Sequence, residues 1–245
     1  MIITAGDARF AVDAVIFDKD GTLIDLLASW SPAGQAWIEV TSGGDADLAE
    51  DLGRVIGVHN GEVVANGLLA AGTMGQLEAA TRSMLEHHRI VDAGDRIAQA
   101  RAVAAHITNE HLTPIGSVAA TLERLVAGGL KIGVVTSDDR GTTLDALNRL
   151  GISELVGVIV AGDDGVAPKP SPQPLRIAAA ALGVSIERTL YVGDSNVDRE
   201  AAISAPTAGF VLIAGEAEKE RQPRVDAIVN SIDELTIETD GERRR

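Results

Sequence analysis

Cysteine is absent from this sequence, and aromatic residues are scarce, with two Trp, one Tyr and three Phe among 245 residues. The absence of cysteine excludes disulfide bonds, thiolate metal sites and a thiol nucleophile. Apolar residues still make up 45% of the chain, which is enough for a substantial core. We therefore expect a core of Val, Ile, Leu and Ala side chains, in one large domain or in a domain with an insert.

Positive charge is also in short supply, and the formal net charge is −15 at pH 7. Such a balance makes nucleic acid and anionic membranes poor partners. No apolar run approaches the roughly 20 residues of a membrane-spanning helix, and the first ten residues carry charge where a signal peptide has its apolar region. We expect a soluble, cytoplasmic protein that binds a small molecule, as a monomer or a homodimer.

Hydrophobic periodicity predicts alternating strands and helices over most of the chain. Short apolar runs predict strands at 14–17, 131–135, 156–161, 189–192, 211–213 and 227–229. Helical spacing predicts helices at 117–127, 142–150, 175–182 and 198–203 between them. This alternation is typical of an α/β fold with a doubly wound, Rossmann-like parallel sheet. Residues 1–13 are predicted to form a short leading strand or hairpin.

The block from residue 26 to residue 112 interrupts this alternation directly after the first predicted strand. It is rich in Ala, Leu, Glu and Arg, contains no lysine, and has helical spacing at 46–57, 62–71, 73–88 and 92–111. We therefore predict an inserted all-helical domain at 26–112. The core domain would then consist of residues 1–25 and 113–245.

Two aspartates, Asp18 and Asp20, follow the first predicted strand and precede the turn residues Gly21 and Thr22. Ligands of open α/β sheets bind at the carboxyl ends of the strands. Carboxylates two residues apart at such a position can divide the work, with one attacking or holding a metal while the other moves protons. An ordinary Asp-Gly turn would explain the same residues, so the decision depends on the other strand ends.

Later strands are followed by residues of complementary chemistry. Thr136 offers a hydroxyl and nearby backbone amides, and Lys169 offers a positive charge suited to a phosphoryl group. Asp194 and Asp198 offer the hard oxygen ligands that Mg²⁺ prefers. Each alone has an ordinary explanation as a helix cap, a solvated lysine or a turn. Their occurrence in order in one α/β chain indicates a phosphate and metal site at one edge of the sheet.

The motifs that carry this order resemble those of the haloacid dehalogenase (HAD) superfamily, and most closely its phosphoglycolate-phosphatase-like branch. They are Asp18-x-Asp20-Gly21-Thr22-Leu23, Val134-Val135-Thr136, Lys169-Pro170-Ser171-Pro172 and Gly193-Asp194-Ser195-x-x-Asp198. The helical insert follows the first motif, where this family carries its helical (C1) cap. The second and third motifs lie too close together for the family's alternative α/β cap.

The resemblance implies an Mg²⁺-dependent phosphatase that acts on a small phosphate ester. Asp18 would attack phosphorus to give an aspartyl-phosphate. Asp20 would protonate the leaving oxygen and then deprotonate the water that hydrolyses this intermediate. Thr136, the amides near Ser137, and Lys169 would hold the transferring phosphoryl group.

The resemblance also implies a set of metal ligands. Mg²⁺ would be bound by the Asp18 carboxylate, the Asp20 main-chain carbonyl and the Asp194 carboxylate. Asp198 would lie close by and act through water or through Lys169.

Other activities fit the residues less well. Dehalogenases of the superfamily lack the second aspartate, and phosphonoacetaldehyde hydrolase is expected to use a cap lysine, which residues 26–112 do not contain. A receiver-type signalling domain would be about half this length and would have no insert. A β-phosphoglucomutase-like mutase shares every core motif and stays open, as does a catalytically silent HAD-like binding protein.

Substrate specificity is expected to lie in the insert, with Trp30, Arg54 and His59 as candidate contributors. Trp30 and Trp37 lie seven residues apart and could instead pack on one helix face. Arg54 could bind a substrate carboxylate. The lysine-free insert does not favour phosphoglycolate itself.

Three charged residues near the motifs are expected to avoid the site. Lys19 lies between the two aspartates, and strand alternation would point it away from them. Asp138 and Asp139 follow Thr136 and are unusually acidic for a phosphate site. We expect their side chains to face outward.

Overall fold

The computed structural model describes residues 1–64, 67–110, 112–214 and 225–238. The strands are β1 (Ile2–Ala5), β2 (Ala8–Ala11), β3 (Ala14–Phe17), β4 (Val58–His59), β5 (Glu62–Val63), β6 (Lys131–Val135), β7 (Val156–Val160), β8 (Thr189–Gly193), β9 (Gly209–Ile213), β10 (Ala227–Val229) and β11 (Leu235–Ile237). The helices are α1 (Leu26–Ser42), α2 (Ala46–Ile56), α3 (Leu68–Ala71), α4 (Met74–His87), α5 (Ala93–Glu110), α6 (Val118–Ala127), α7 (Arg140–Arg149), α8 (Gln173–Ala181) and α9 (Asn196–Ser204).

A six-stranded sheet with the order β10-β9-β8-β3-β6-β7 forms the centre of the fold. All its neighbouring strands are parallel, as expected for strands joined by helical crossovers. The six strands predicted from the sequence are all present, and their ends differ from the prediction by at most two residues. The predicted α/β, Rossmann-like fold class is therefore confirmed.

The register of the central strands brings their carboxyl ends to one level. Phe17, the last residue of β3, lies beside Val134 of β6 and Val192 of β8. The polar residues that follow these three strands therefore begin at the same edge of the sheet, where ligands of open α/β sheets bind.

Both faces of the sheet are covered, which explains why β3 is buried at every position. Val15 and Phe17 belong to the apolar cluster on one face, with Leu122 of α6, whereas Ile16 belongs to the cluster on the other face, with Leu175 of α8. The core is mainly aliphatic, as the composition predicts.

A second sheet joins the two ends of the described chain. β1 pairs with β2 as the predicted leading hairpin, and β1 also pairs with β11, with Ile3 beside Ile237. A 3₁₀ turn at Ile232–Glu234 leads into β11. Strand β11 was missed because its pairing partner lies more than 200 residues away.

The insert, residues 26–112, has an apolar cluster of its own. Leu48, Leu52 and Ile56 of α2 pack with Trp37 of α1 and Leu85 of α4. This cluster supports the predicted insertion, while the boundaries at 25/26 and 112/113 remain a prediction.

The prediction that the insert is entirely helical is wrong. Residues 62–71 were predicted as one helix, but Glu62–Val63 is strand β5, which pairs with β4 in a hairpin. The short helix α3 begins at Leu68. Asn60 and Gly61 adopt left-handed φ values of 51° and 82° in the turn, which ends helical geometry locally. Residues 65 and 66, and residues 239–245 at the end of the predicted core domain, lie outside the described residues.

None of the helices in the described ranges is both long and apolar enough to cross a bilayer.

Packing of the insert predicts a large difference between two positions of α2. Leu52 is fully buried and Val55 is 38% exposed. Leu52→Ala should lower the free energy of unfolding by about 2–5 kcal/mol, because it leaves a cavity in the cluster. Val55→Ala, the matched control, should change it by less than about 0.5 kcal/mol. Urea denaturation followed by circular dichroism measures both, and equal losses would contradict the described packing of α2.

Candidate active site

One cleft lies at the carboxyl edge of the sheet, beside the ends of β3, β6 and β8. Its lining includes the side chains predicted to act on phosphate or metal, namely Asp18, Asp20, Thr136, Ser137, Lys169, Asp194 and Asp198. They come from the ends of β3, β6 and β8, from the start of α9 and from the loop before α8. The structure thus brings these residues together, while their individual roles remain predictions.

A tight turn after β3 places the first two aspartates. The Lys19 carbonyl accepts hydrogen bonds from the amides of Leu23 and Ile24 at 2.9 and 3.1 Å, and Gly21 N–H donates to the Ile24 carbonyl at 2.7 Å. Gly21 has a φ of +82°, and a Cβ there would lie 2.1 Å from Asp194 Oδ2. Glycine is therefore required both by the backbone and by the space beside Asp194.

Lys169 lies between two buried carboxylates. Its Nζ is 2.7 Å from Asp18 Oδ1 and 2.6 Å from Asp198 Oδ1, and the three side chains are at most 8% exposed. Burial alone would lower the pKa of Lys169, but the negative charges of Asp18 and Asp198 raise it above its ordinary value. Lys169 is therefore a permanent cation beside Asp18.

Asp198 is fixed by several donors. Tyr191 Oη donates to Asp198 Oδ1 at 2.6 Å, and Ser195 Oγ donates to Asp198 Oδ2 at 2.5 Å. Burial acts to raise the pKa of Asp198, but Lys169 and the hydrogen bonds from Ser195 and Tyr191 outweigh it and lower the pKa. Asp198 is thus an ionised anchor for Lys169.

Asp18, Asp194 and Asp198 can hold a divalent cation. One carboxylate oxygen from each lies within 4.8 Å of the others. Burial, followed by the charges of Asp198 and Asp18, raises the pKa of Asp194 well above its ordinary value. Burial likewise raises the pKa of Asp18 to about 7, against the opposing effect of Lys169. When all three carboxylates are ionised, Lys169 balances one of their negative charges and a divalent cation would balance the other two. Three hard oxygen ligands suit Mg²⁺.

The expectation that Lys19 points away from the two aspartates is wrong, because Lys19 contacts Asp20. Its side chain is 3% exposed, and Nζ lies 2.7 Å from Asp20 Oδ1, 2.6 Å from Asp20 Oδ2 and 3.2 Å from Asp138 Oδ2. The strand ends at Phe17, and the following turn breaks the alternation on which the expectation depended.

The expectation that Asp138 and Asp139 face outward is also wrong, because both are buried. Asp138 lies beside Lys19, and burial raises its pKa to about 6 against the opposing charge of Lys19. Asp139 caps α7 by accepting a hydrogen bond from Thr142 N–H at 2.8 Å, and it also accepts one from Arg101 at 3.1 Å. Each carboxylate thus has a positive or donor partner that the sequence did not reveal.

The insert contributes Trp30 to the site, but not Arg54 or His59. Trp30 is 7% exposed, and its Nε1–H donates to Asp20 Oδ1 at 3.1 Å. Arg54 lies on the exposed face of α2 and pairs with Asp51, one turn away. His59 is exposed in the β4–β5 hairpin, and neither it nor Arg54 lines the cleft. Their proposed roles in specificity therefore have no support from this geometry.

The wall of the cleft that faces the aspartates comes from α3 and the start of α4. Its side chains are mainly apolar, and Leu68, Leu69, Met74 and Leu77 are among them. Sequence reasoning missed them because apolar residues of a helical block carry no chemical signature. Gly72 and Thr73 before α4 also line the cleft, but in the sequence they indicate only the end of one helix and the start of the next.

Comparisons with known proteins agree with this geometry. The sequence model of the haloacid dehalogenase-like hydrolases matches residues 12–206. The chain is 33% identical over 202 residues to the phosphoglycolate phosphatase of Yersinia pestis, covering 80% of this chain and 78% of the relative. It is 30% identical over 216 residues to that of Rhodospirillum rubrum, covering 86% and 82%.

A solved structure shares the fold. The HAD hydrolase, family IA, variant 3, from Entamoeba histolytica superimposes with a TM-score of 0.66 at 21% identity, and the match covers 92% of this chain and 96% of that chain.

The geometry around Asp194 predicts a specific effect of Gly21→Ala. A methyl group there would displace the Asp194 carboxylate, so Mg²⁺ binding measured by calorimetry should weaken about 10- to 100-fold, as for other disturbed metal surroundings. Gly129→Ala is the matched control, because Gly129 has a φ of +87° and no neighbour within 4 Å of an added Cβ. Both variants should lose about 1 kcal/mol of stability to backbone strain. Unchanged Mg²⁺ affinity in Gly21→Ala would contradict the described site.

Proposed function

This chain belongs to the haloacid dehalogenase-like hydrolases and is a phosphatase similar to phosphoglycolate phosphatases, and we propose that it hydrolyses a small phosphorylated metabolite with Mg²⁺ through a phosphoryl group held covalently on Asp18. The observation that carries the proposal is the position of Lys169, 2.7 Å from Asp18 and 2.6 Å from Asp198. A carboxylate that attacks a phosphate dianion must overcome like-charge repulsion. Lys169 places a cation at that point.

In the first step, an Asp18 carboxylate oxygen bonds to phosphorus as the bond from phosphorus to the leaving oxygen breaks. Thr136 and the amides near Ser137 hold the phosphoryl oxygens. The Thr136 hydroxyl already accepts a hydrogen bond from Asp138 N–H at 3.1 Å, so its own proton is available to a phosphate oxygen.

Asp20 moves the protons of both steps. It protonates the leaving oxygen of the substrate as that oxygen departs, and it then removes a proton from the water that attacks phosphorus. This second attack breaks the bond to Asp18 and releases inorganic phosphate. Trp30 and Lys19 contact the Asp20 carboxylate and hold it for these transfers.

Mg²⁺ would be held by the carboxylates of Asp18 and Asp194, with Asp198 beside them, and the Asp20 main-chain carbonyl is a further proposed ligand. When bound, the ion supplies positive charge that stabilises the negative charge of the phosphoryl group during transfer. The three carboxylates fit this ion because they offer three hard oxygen ligands that lie within 4.8 Å of one another.

Because the cleft wall formed by α3 and α4 is apolar, we propose that the substrate has a small leaving group that packs against Leu69 and Leu77. The substrate should be identified by a panel of phosphorylated metabolites assayed with Mg²⁺, including phosphoglycolate. Inorganic phosphate as product supports hydrolysis. A product that keeps its phosphate on another carbon would support the phosphomutase alternative instead, and the absence of any turnover would support a silent binding protein.

Asp18→Asn should fold normally and should lower kcat at least about 10³-fold, because the amide cannot attack phosphorus. Wild-type protein quenched during turnover and reduced with borohydride should contain homoserine at position 18, detected by peptide mass spectrometry. Asp47→Asn, at an exposed position of α2, is the control and should keep wild-type activity. Wild-type turnover by Asp18→Asn would rule out this mechanism.

Removal of the metal should abolish activity. EDTA should lower phosphate release to background, and Mg²⁺ should restore it. Ca²⁺ should restore less than about a tenth of the rate, because its longer bonds and higher coordination number disturb a site suited to Mg²⁺. Full activity in EDTA, after dialysis into metal-free buffer, would contradict the proposed cofactor.

A further inference from the structure

We propose that Lys19 and Asp138 form a positioning pair that holds Asp20 in the orientation for proton transfer. The inference rests on the proposed function, in which Asp20 is the acid/base, and it assigns a role to two residues outside the motif positions. It also accounts for two of the three charged residues that were wrongly expected to avoid the site.

Lys19 lies behind Asp20 rather than in the cleft. Asp20 and Asp138 both line the cleft that contains Asp18, whereas Lys19 does not. Lys19 Nζ contacts both oxygens of Asp20, at 2.7 and 2.6 Å. Lys19 therefore acts on the reaction through Asp20 and does not touch the substrate.

Three contacts fix the Asp20 carboxylate. Lys19 binds both oxygens, and Trp30 Nε1–H donates to Oδ1 at 3.1 Å from the side of the insert. A carboxylate held in this way has little freedom to rotate. Proton transfer to a leaving oxygen requires such fixed geometry, and small displacements lower the rate strongly.

Asp138 holds Lys19 in turn. Its Oδ1 accepts a hydrogen bond from Asp139 N–H at 2.8 Å. Its Oδ2 forms an ion pair with Lys19 Nζ at 3.2 Å and accepts no hydrogen bond from the described residues. Removing one member of a buried ion pair leaves the other charge uncompensated, whereas neutralising both removes that penalty. The two residues therefore explain one another's presence beside the cleft.

The arrangement repeats the one around the nucleophile. Lys169 lies between Asp18 and Asp198, and Lys19 lies between Asp20 and Asp138. In each case a buried lysine links an aspartate with a proposed chemical role to a second, anchoring aspartate.

The test uses leaving groups that differ in their need for an acid. An alkyl phosphate needs a proton on its leaving oxygen, while p-nitrophenyl phosphate does not, and kcat/KM reports the steps up to departure of that group. Lys19→Met should lower kcat/KM about 10- to 100-fold for an alkyl phosphate that the wild type hydrolyses. The same variant should lower kcat/KM for p-nitrophenyl phosphate by less than about threefold. Lys131→Met is the matched control, because Lys131 donates to the Leu182 carbonyl, away from the cleft, and should change neither value.

The double variant Lys19→Met/Asp138→Asn separates positioning from stability. It should recover part of the thermal stability that Lys19→Met loses, since the buried Asp138 carboxylate is no longer left without its cation. It should keep the selective loss on the alkyl phosphate, since Asp20 still lacks Lys19. Recovery of the alkyl-phosphate rate together with stability would overturn the proposal, as would equal losses on both substrates.

Asp20→Asn tests the acid role of Asp20 separately from the Lys19–Asp138 positioning pair. It should show the largest selective loss on the alkyl phosphate. Without that selectivity, the acid role of Asp20 fails, and the positioning pair fails with it. If Asp20→Asn is selective and both Lys19 variants are not, the positioning pair alone is wrong.

Discussion

Repulsion between buried carboxylates is the constraint on which the site depends. Several aspartates meet at one edge of the parallel sheet, and burial there favours their uncharged forms. In the structure, lysine side chains lie against these carboxylates and offset part of their charge. Lys169 lies between Asp18 and Asp198, and Lys19 lies against Asp20. The negative charge that these lysines leave unbalanced suits a divalent cation, and that cation together with Lys169 would offset the charge of a phosphate dianion.

The sheet converts positions that are far apart in the chain into this single edge. Register places the ends of β6 and β8 level with the end of β3, so residues from three separate segments meet without long loops. The turn after β3 then has little room. A side chain at position 21 would overlap the Asp194 carboxylate, and glycine avoids this overlap. A short local requirement for glycine is thus set by a residue more than 170 positions away.

The insert completes the surroundings of the catalytic edge. Trp30 in α1 reaches Asp20, and Arg101 in α5 binds Asp139, the cap of α7. Through these contacts the insert fixes groups of the core as well as covering the cleft. The part of the insert that lines the cleft is mostly apolar, so we propose that the insert selects substrates by shape and packing while the strand ends carry the chemistry.

The six strands of the central sheet could be predicted from the sequence, and Asp18, Lys169 and Asp194 could be proposed as site residues. Buried strands and the polar residues that follow them form local patterns, which a sequence shows directly. The sequence could not determine contacts made across the fold. The pairing of β11 with β1, the inward position of Lys19 and the exposed position of Arg54 depend on which surfaces meet. These features are visible only in the folded chain, since burial and electrostatic contacts depend on neighbours in space and not on neighbours in sequence.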